Sequence, residues 1–293
     1  MKYLKNIAFA LLLSSVMFSC QEEGPYIQLS EGFITGFASK VEAIAPAPQQ
    51  QNVLIEDITG VRCSNCVAGH DKLNELINLN PGRVIGLALH PYTLPIYTSP
   101  YPGSADFRDK DSAAHFIVTQ LLDNPNSMPA GGVNRKLYPG KTARNYFYSD
   151  WATYTAQELA TTTPANLNVK TNYKPATREL KASISITYAS EVTDDNYLSV
   201  LLSEDSIIDK QLSPSGIIPN YEHKHVLRKM LTPLTGKKLN SSKTPLEKGR
   251  NFEVEFTYEI PSEWKAEYCH VVAIVHKNTT LIDVVQCAEA KVK

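Results

Sequence analysis

The chain has 293 residues, 29 basic and 30 acidic side chains and a formal net charge of −1, with 43% hydrophobic and 9% aromatic residues. So even a balance excludes a nucleic-acid binder that works through a basic surplus, and so apolar a composition excludes an intrinsically disordered chain. The length allows two ordinary domains.

Met1-Lys2-Tyr3-Leu4-Lys5 is followed by an apolar stretch from Ile7 to Phe18, interrupted only by Ser14 and Ser15, and then by Ser19 and Cys20. A charged start, an apolar centre and a small residue at the cut site predict a secretory signal over residues 1–19. The stretch is about a dozen residues long, well short of the roughly 20 that a lasting transmembrane helix requires. Met17-Phe18-Ser19-Cys20 resembles a lipobox, which makes the Cys20 thiol the expected attachment point for lipid. Plain secretion with an incidental cysteine is the alternative. Several acyl chains on one residue exceed the single chain that binds only marginally, so anchoring in the membrane should be stable. Gln21-Glu22-Glu23 resembles the acidic tripeptide that directs Bacteroidetes-type lipoproteins to the outer membrane, although an acidic linker would look the same. Residues 20–51 are polar and broken and end in Ala45-Pro46-Ala47-Pro48, a composition suited to a lipidated tether.

Val53 to Ile58 reads as a buried strand, Cys66 to Leu79 as an amphipathic helix with Leu73, Leu76 and Ile77 on its apolar face, and Val84 to Leu89 as a second buried strand. Strand, helix and strand in this order predict a βαβ unit with a parallel pair. Ser112 to Asp123 and Thr142 to Leu159 are further helical candidates, and a short run follows Met128-Pro129. After Thr161-Thr162-Thr163-Pro164 the pattern changes to short strands: Asn166 to Tyr173, Leu180 to Tyr188, Tyr197 to Leu202, Val226 to Leu231, Phe252 to Ile260, Tyr268 to His276 and Thr280 to Ala288. Seven strands separated by turns predict an immunoglobulin-like β-sandwich over residues 161–293, behind an α/β domain over residues 52–160.

Export places the cysteines where disulfides persist. With Cys20 assigned to lipid, Cys63 and Cys66 form one candidate pair and Cys269 and Cys287 the other. A hairpin closed symmetrically at Lys277-Asn278-Thr279 sets Cys269 opposite Cys287 and Val271 opposite Val285, and so predicts a structural cross-strand disulfide. Two buried free thiols are the alternative.

Cys63-Ser64-Asn65-Cys66 stands where a strand hands over to a helix, and unpaired amides at a helix N-terminus favour a thiolate. Cys63 is the candidate nucleophile and Cys66, one turn on, the resolving thiol. Val67 takes the place of the histidine that c-type haem attachment needs, and Cys63, Cys66 and His70 lack a fourth metal ligand. No cofactor or metal is therefore expected. His223 and His225 should alternate along a surface strand. Asp57, six residues before Cys63, and Pro129, at the start of a later strand, give the segment a resemblance to thioredoxin-like proteins. That resemblance implies a thioredoxin-like α/β fold, with Asp57 as the buried acid that aids proton transfer. It also implies that Pro129 is a cis-proline holding the Met128 backbone ready for an extended substrate. Arg62 stands where that family has tryptophan, and its charge should favour a Cys63 thiolate.

Three longer segments widen the likeness: Ile55-Glu56-Asp57-Ile58-Thr59-Gly60, Pro129-Ala130-Gly131-Gly132-Val133-Asn134-Arg135, and Asn220-Tyr221-Glu222-His223-Lys224-His225-Val226-Leu227-Arg228. Together they resemble the Omp-twenty-eight-related outer-membrane lipoproteins of Bacteroidetes, which implies residence at the outer membrane on its periplasmic or cell-surface face. Two functions stand open. One is a lipid-anchored thiol-disulfide oxidoreductase acting on envelope or surface proteins through Cys63, Cys66, Asp57 and Pro129. The other is a non-enzymatic surface adhesin or binding module stapled by its disulfides.

Overall fold

The computed structural model describes residues 33–108, 113–277 and 282–293, so the signal segment and Cys20 lie outside the described residues. Chain order begins with a strand inside the stretch read as spacer, Ile34–Val41 (β1). Val53–Ile58 (β2) and Val84–Leu89 (β3) flank the helix Cys66–Leu79 (α1), with the bounds expected for all three. Every residue of β2 and β3 is buried, as befits parallel neighbours covered on both faces. Ala113–Phe116 (α2) continues as a π-helical turn over Ile117–Leu121, Ala130–Val133 (β4) follows, and Tyr148–Leu159 (α3) ends the first half.

The second half contributes Ala165–Lys174 (β5), Glu179–Tyr188 (β6), Asn196–Glu204 (β7), Ile207–Ser213 (β8), Gly216–His223 (β9), Val226–Met230 (β10), Lys237–Lys238 (β11), Arg250–Glu259 (β12), Cys269–Lys277 (β13) and Val284–Lys291 (β14). A four-stranded antiparallel sheet runs in the order β1-β12-β6-β5. The larger sheet has eight strands, in the order β14-β13-β7-β10-β3-β2-β4 with β11 beside β7. Within it β2–β3 and β3–β10 pair in parallel and the other pairs are antiparallel.

This topology corrects the expected fold class. The chain is mainly β, and no thioredoxin-like α/β domain stands ahead of an immunoglobulin-like sandwich. The parallel β2–β3 pair is spliced through β10 into strands of the second half, and Ala88 N donates to His225 O at 2.7 Å across the join. A βαβ unit leaves a free edge at β3, and its sequence says nothing about which later strand takes that edge.

One face of the large sheet carries Leu198, Val200 and Leu202 of β7 and Val271, Ala273 and Val275 of β13, packed against Ile184, Ile186, Phe252, Val254 and Phe256 of the small sheet. Residues directly paired across the strands share a face. Ala88 pairs with Val226 and Val226 with Glu204, so Val53, Ile55 and Val84 lie on that same side, beneath Leu73 and Leu76 of α1 and Trp151 of α3. The opposite face gathers Leu54, Ile85, Leu87, Leu201, Val272 and Ile274 around α2. It curls until the sheet ends meet: Val284 N donates to Asn134 O at 2.9 Å, and Asn52 Nδ2 to Cys287 O at 2.8 Å. Among the described residues no helix is long and apolar enough to cross a membrane, which says nothing about a strand-built barrel.

The β13–β14 register corrects a second expectation. Ile274 lies opposite Cys287 and His270 opposite Lys291, while Cys269 is bonded through its carbonyl to Val292 N at 2.8 Å. The two cysteines are thus displaced by five rows, roughly 16 Å along the strands. An odd displacement also changes faces. Cys269 joins the core between the sheets and Cys287 the core on the other face, and both are buried free thiols.

A candidate redox site beneath the β8–β9 hairpin

Cys63 and Cys66 are joined as a disulfide with their Cα atoms 5.3 Å apart. Cys63 N donates to Gly60 O at 3.0 Å and Cys66 N to Cys63 O at 3.2 Å, which coils the loop directly into α1 behind Asn65. Gly60 has to be glycine, because a Cβ there would stand 2.3 Å from Tyr97 O. Arg62 is anchored on the 99–101 loop. Its guanidinium donates to Ser99 O at 2.8 Å and Pro100 O at 2.9 Å and covers the Tyr101 ring at 4.1 Å. The guanidinium expected to favour a Cys63 thiolate thus ties down the 99–101 loop.

The β8–β9 hairpin, which no sequence pattern picked out, lies over this loop. Leu212 N donates to Val61 O at 2.8 Å, and the Gln211 side-chain amide donates to Cys63 O at 3.1 Å and Gly60 O at 3.3 Å. The result is a sealed pair, with Cys63 3% exposed and Cys66 fully buried.

Asp57 projects from β2 toward α1, and among the described residues neither of its oxygens has a hydrogen-bond partner. Burial pushes its carboxyl well above the usual carboxylate range. Pro129, which follows a cis peptide bond, comes to the same place: a Cβ on Gly69 would lie 3.1 Å from Pro129 Cβ and 3.7 Å from Asp57 Oδ1. The two residues singled out with the dithiol thus converge on α1 one turn past Cys66. The strand edge beside Pro129 is already partly filled, since Gly131 exchanges both backbone hydrogen bonds with Tyr146, at 2.9 and 2.8 Å.

A histidine cluster that sequence reasoning did not assemble begins beside this acid at His70. His70 of α1 places Nε2 3.5 Å from Asp57 Oδ2 and 2.7 Å from Thr59 Oγ1, and Nδ1 3.0 Å from the Tyr221 hydroxyl of β9. The Asp57 contact has the spacing of an ion pair. Burial, however, pushes the acid up and holds His70 down to about 3, so both groups are driven toward their uncharged forms. His223 at the end of β9 is held down to about 4 by burial, and buried His90 is held well below its ordinary value. The Phe107 ring bridges these two imidazoles at centroid distances of 4.7 and 5.3 Å. His225 does not share a strand face with His223: it sits at φ 58° between β9 and β10, with Nδ1 3.3 Å from Asp205. Among the described residues no three His, Cys, Asp or Glu side chains converge as a metal site. Only the residue types could have hinted at the cluster, because Tyr221 lies 151 positions from His70.

A family model described as outer membrane protein Omp28 matches residues 123–293 of the chain. No curated protein matches by sequence. Among solved structures, the fold is similar to HBP35 of Porphyromonas gingivalis, with a TM-score of 0.64 and 17% identity over 84% of this chain and 76% of that one. A protein of Agrobacterium tumefaciens aligns over 84% of this chain and 97% of its own at 14% identity and a TM-score of 0.48. Spo0M, a sporulation control protein of Bacillus subtilis, aligns over 44% of this chain and 48% of its own at 15% identity and a TM-score of 0.32. At such identities the first of these likenesses concerns fold alone, and the other two are too distant to carry an argument.

Proposed function

Because this chain belongs to the Omp28 outer membrane protein family, we propose that it is lipid-anchored there through Cys20 and that Cys63 and Cys66 exchange disulfides with envelope or surface proteins. The observation that carries the redox reading is Asp57, a buried carboxyl that has no hydrogen-bond partner among the described residues and lies against the first turns of α1. A disulfide that only staples a fold has no use for such a group, whose burial without a partner costs on the order of 1–3 kcal/mol. A resolving thiol does, because Cys66 must lose a proton before its sulfur attacks Cys63, and a nearby carboxylate accepts that proton. Exchange requires the β8–β9 hairpin to lift from Cys63.

The second reading is a binding module in which the disulfide is a staple, and the burial of both sulfurs favours it. Two measurements separate the readings. In the redox reading the Cys63–Cys66 couple has a potential above about −300 mV, and a Cys66→Ser variant accumulates mixed disulfides with client proteins through Cys63. A much lower potential together with the absence of adducts leaves the staple.

A further inference from the structure

We propose that His70 is the positioning residue that links buried Asp57 to solvent, its imidazole passing the proton between the carboxyl and the Tyr221 hydroxyl; this rests on the redox reading of Cys63 and Cys66. His70 stands four residues after Cys66 in α1, so the helix carries both on one side. Its two ring nitrogens face opposite ways: Nε2 toward Asp57 Oδ2 at 3.5 Å and Thr59 Oγ1 at 2.7 Å, Nδ1 toward Tyr221 Oη at 3.0 Å. The Tyr221 end is half-buried and opens on a small recess shared with Asn74, Lys224 and His225. Among the described residues Asp57 has no other polar partner than His70, so a proton taken from Cys66 has this edge as its way to solvent.

The chemistry balances without a further reactant. When the dithiol reduces a client disulfide, Cys63 attacks as thiolate and one client sulfur leaves as the other forms a mixed disulfide. Cys66 then gives its proton to the Asp57 carboxylate, its sulfur bonds to Cys63, and the second client sulfur departs as thiolate. The client gains two electrons and the protein becomes the disulfide. Asp57 is reset when its O–H proton moves to His70 Nε2 while the Nδ1 proton passes to Tyr221, whose own hydroxyl proton goes to water. The imidazole stays neutral throughout and only exchanges tautomers. Burial keeps Tyr221 a neutral hydroxyl by holding its pKa above the ordinary value, as this role requires. The groups around His70 are Asp57 and Thr59 from the β2 end, His90 after β3, Tyr221, Glu222 and His223 from β9, and Lys224 and His225 beyond it, and His223 and His225 disfavour a charged imidazole.

Carbon-13 NMR of the Asp57 carboxyl and nitrogen-15 NMR of His70, on the full chain in its oxidised state, test the link without relying on activity. A relay predicts that the two groups titrate as one coupled step and that His70→Gln uncouples and shifts the Asp57 titration. Tyr221→Phe, which removes one oxygen, should shift the His70 nitrogen signals. Independent titration of Asp57 and His70 overturns the relay, whatever the protein's activity. The exchange rate of the reduced protein with oxidised glutathione is the second arm: His70→Gln should slow it roughly tenfold, and added imidazole should restore part of the loss. Coupled titration without any exchange leaves the relay standing and removes the redox function. Exchange that proceeds unchanged in His70→Gln, with the Asp57 titration also unmoved, removes the relay and leaves the function.

Discussion

Glu56 and Arg135 show what a single buried charge demands. The Arg135 guanidinium donates to the Glu56 carboxylate through Nε at 3.0–3.1 Å and Nη2 at 2.6 Å, with both side chains at 2% exposure or less. This planar two-point contact cannot be reproduced by an ammonium. Arg135→Ala strands a carboxylate in the core and should cost about 3–5 kcal/mol in urea unfolding, whereas Arg135→Met combined with Glu56→Leu should recover most of the loss. A single variant that unfolds at the wild-type urea midpoint would contradict the argument. His276 governs a pH effect at the same scale. Its ring is fixed between Ser199 Oγ at 2.9 Å and Lys277 O at 2.7 Å, and burial holds it down to about 3. Below the ordinary imidazole value of 6.5 the unfolded chain binds a proton that the folded chain refuses, so stability is full near neutrality and falls as the pH drops toward 3. At pH 4 the loss from this group is on the order of 3 kcal/mol. Buried His70, His90 and His223 act in the same direction, so His276→Gln should reduce the slope of stability between pH 6.5 and 4 by about one proton's share rather than abolish it, and an unchanged slope would remove His276 as a contributor.

At the level of elements the β8–β9 hairpin covers Cys63, and it was the least legible part of the site. Cys63, Cys66, Asp57 and the bounds of α1 could be read from the sequence because their relations are local, within a strand, a loop and a helix of fixed period. Pro129 was legible too, as a proline opening a strand. Gln211 reaches Cys63 across 148 positions, and nothing in Ile207-Ile208-Asp209-Lys210-Gln211-Leu212 announces that its fifth residue will bond the carbonyl of a cysteine. The β13–β14 register was illegible for another reason. Both strands carry apolar residues on both faces, so several registers bury them almost equally well and the short turn alone did not fix the choice. Since Gln211 Nε2 donates to three carbonyls, those of Gly60, Cys63 and Leu212, its removal should make opening of the hairpin easier. Gln211→Ala is expected to raise the rate of Cys63–Cys66 reduction by dithiothreitol about tenfold, the effect of roughly one net hydrogen bond, and to speed amide exchange at Leu212. If the rate stays put while Leu212 exchanges faster, the hairpin is not what limits access to the sulfurs.

For the molecule as a whole, the continuous large sheet matters more than the division suggested by its change of sequence pattern at Pro164. Besides the β3–β10 join, the Gln286 side chain accepts from Asn52 N at 2.9 Å, so β14 is fastened to the start of β2 as well as to Asn134 after β4. The curled face then closes a core to which both halves contribute, with Leu54 and Ile85 from one and Leu201, Val272 and Ile274 from the other. Neither half can lose its strands without exposing the partner's apolar face, so folding should be all-or-none across residues 52–293. Calorimetry is expected to give one transition with equal calorimetric and van't Hoff enthalpies, coincident with the loss of circular dichroism. A chain ended after residue 160 keeps β2, β3 and β4 but presents β3 as a bare edge, which invites association with other copies. Such a fragment should lack cooperative unfolding. Two separate transitions in the full chain, or a well-behaved folded fragment, would show that the halves are independent and that the shared sheet is only a contact between them.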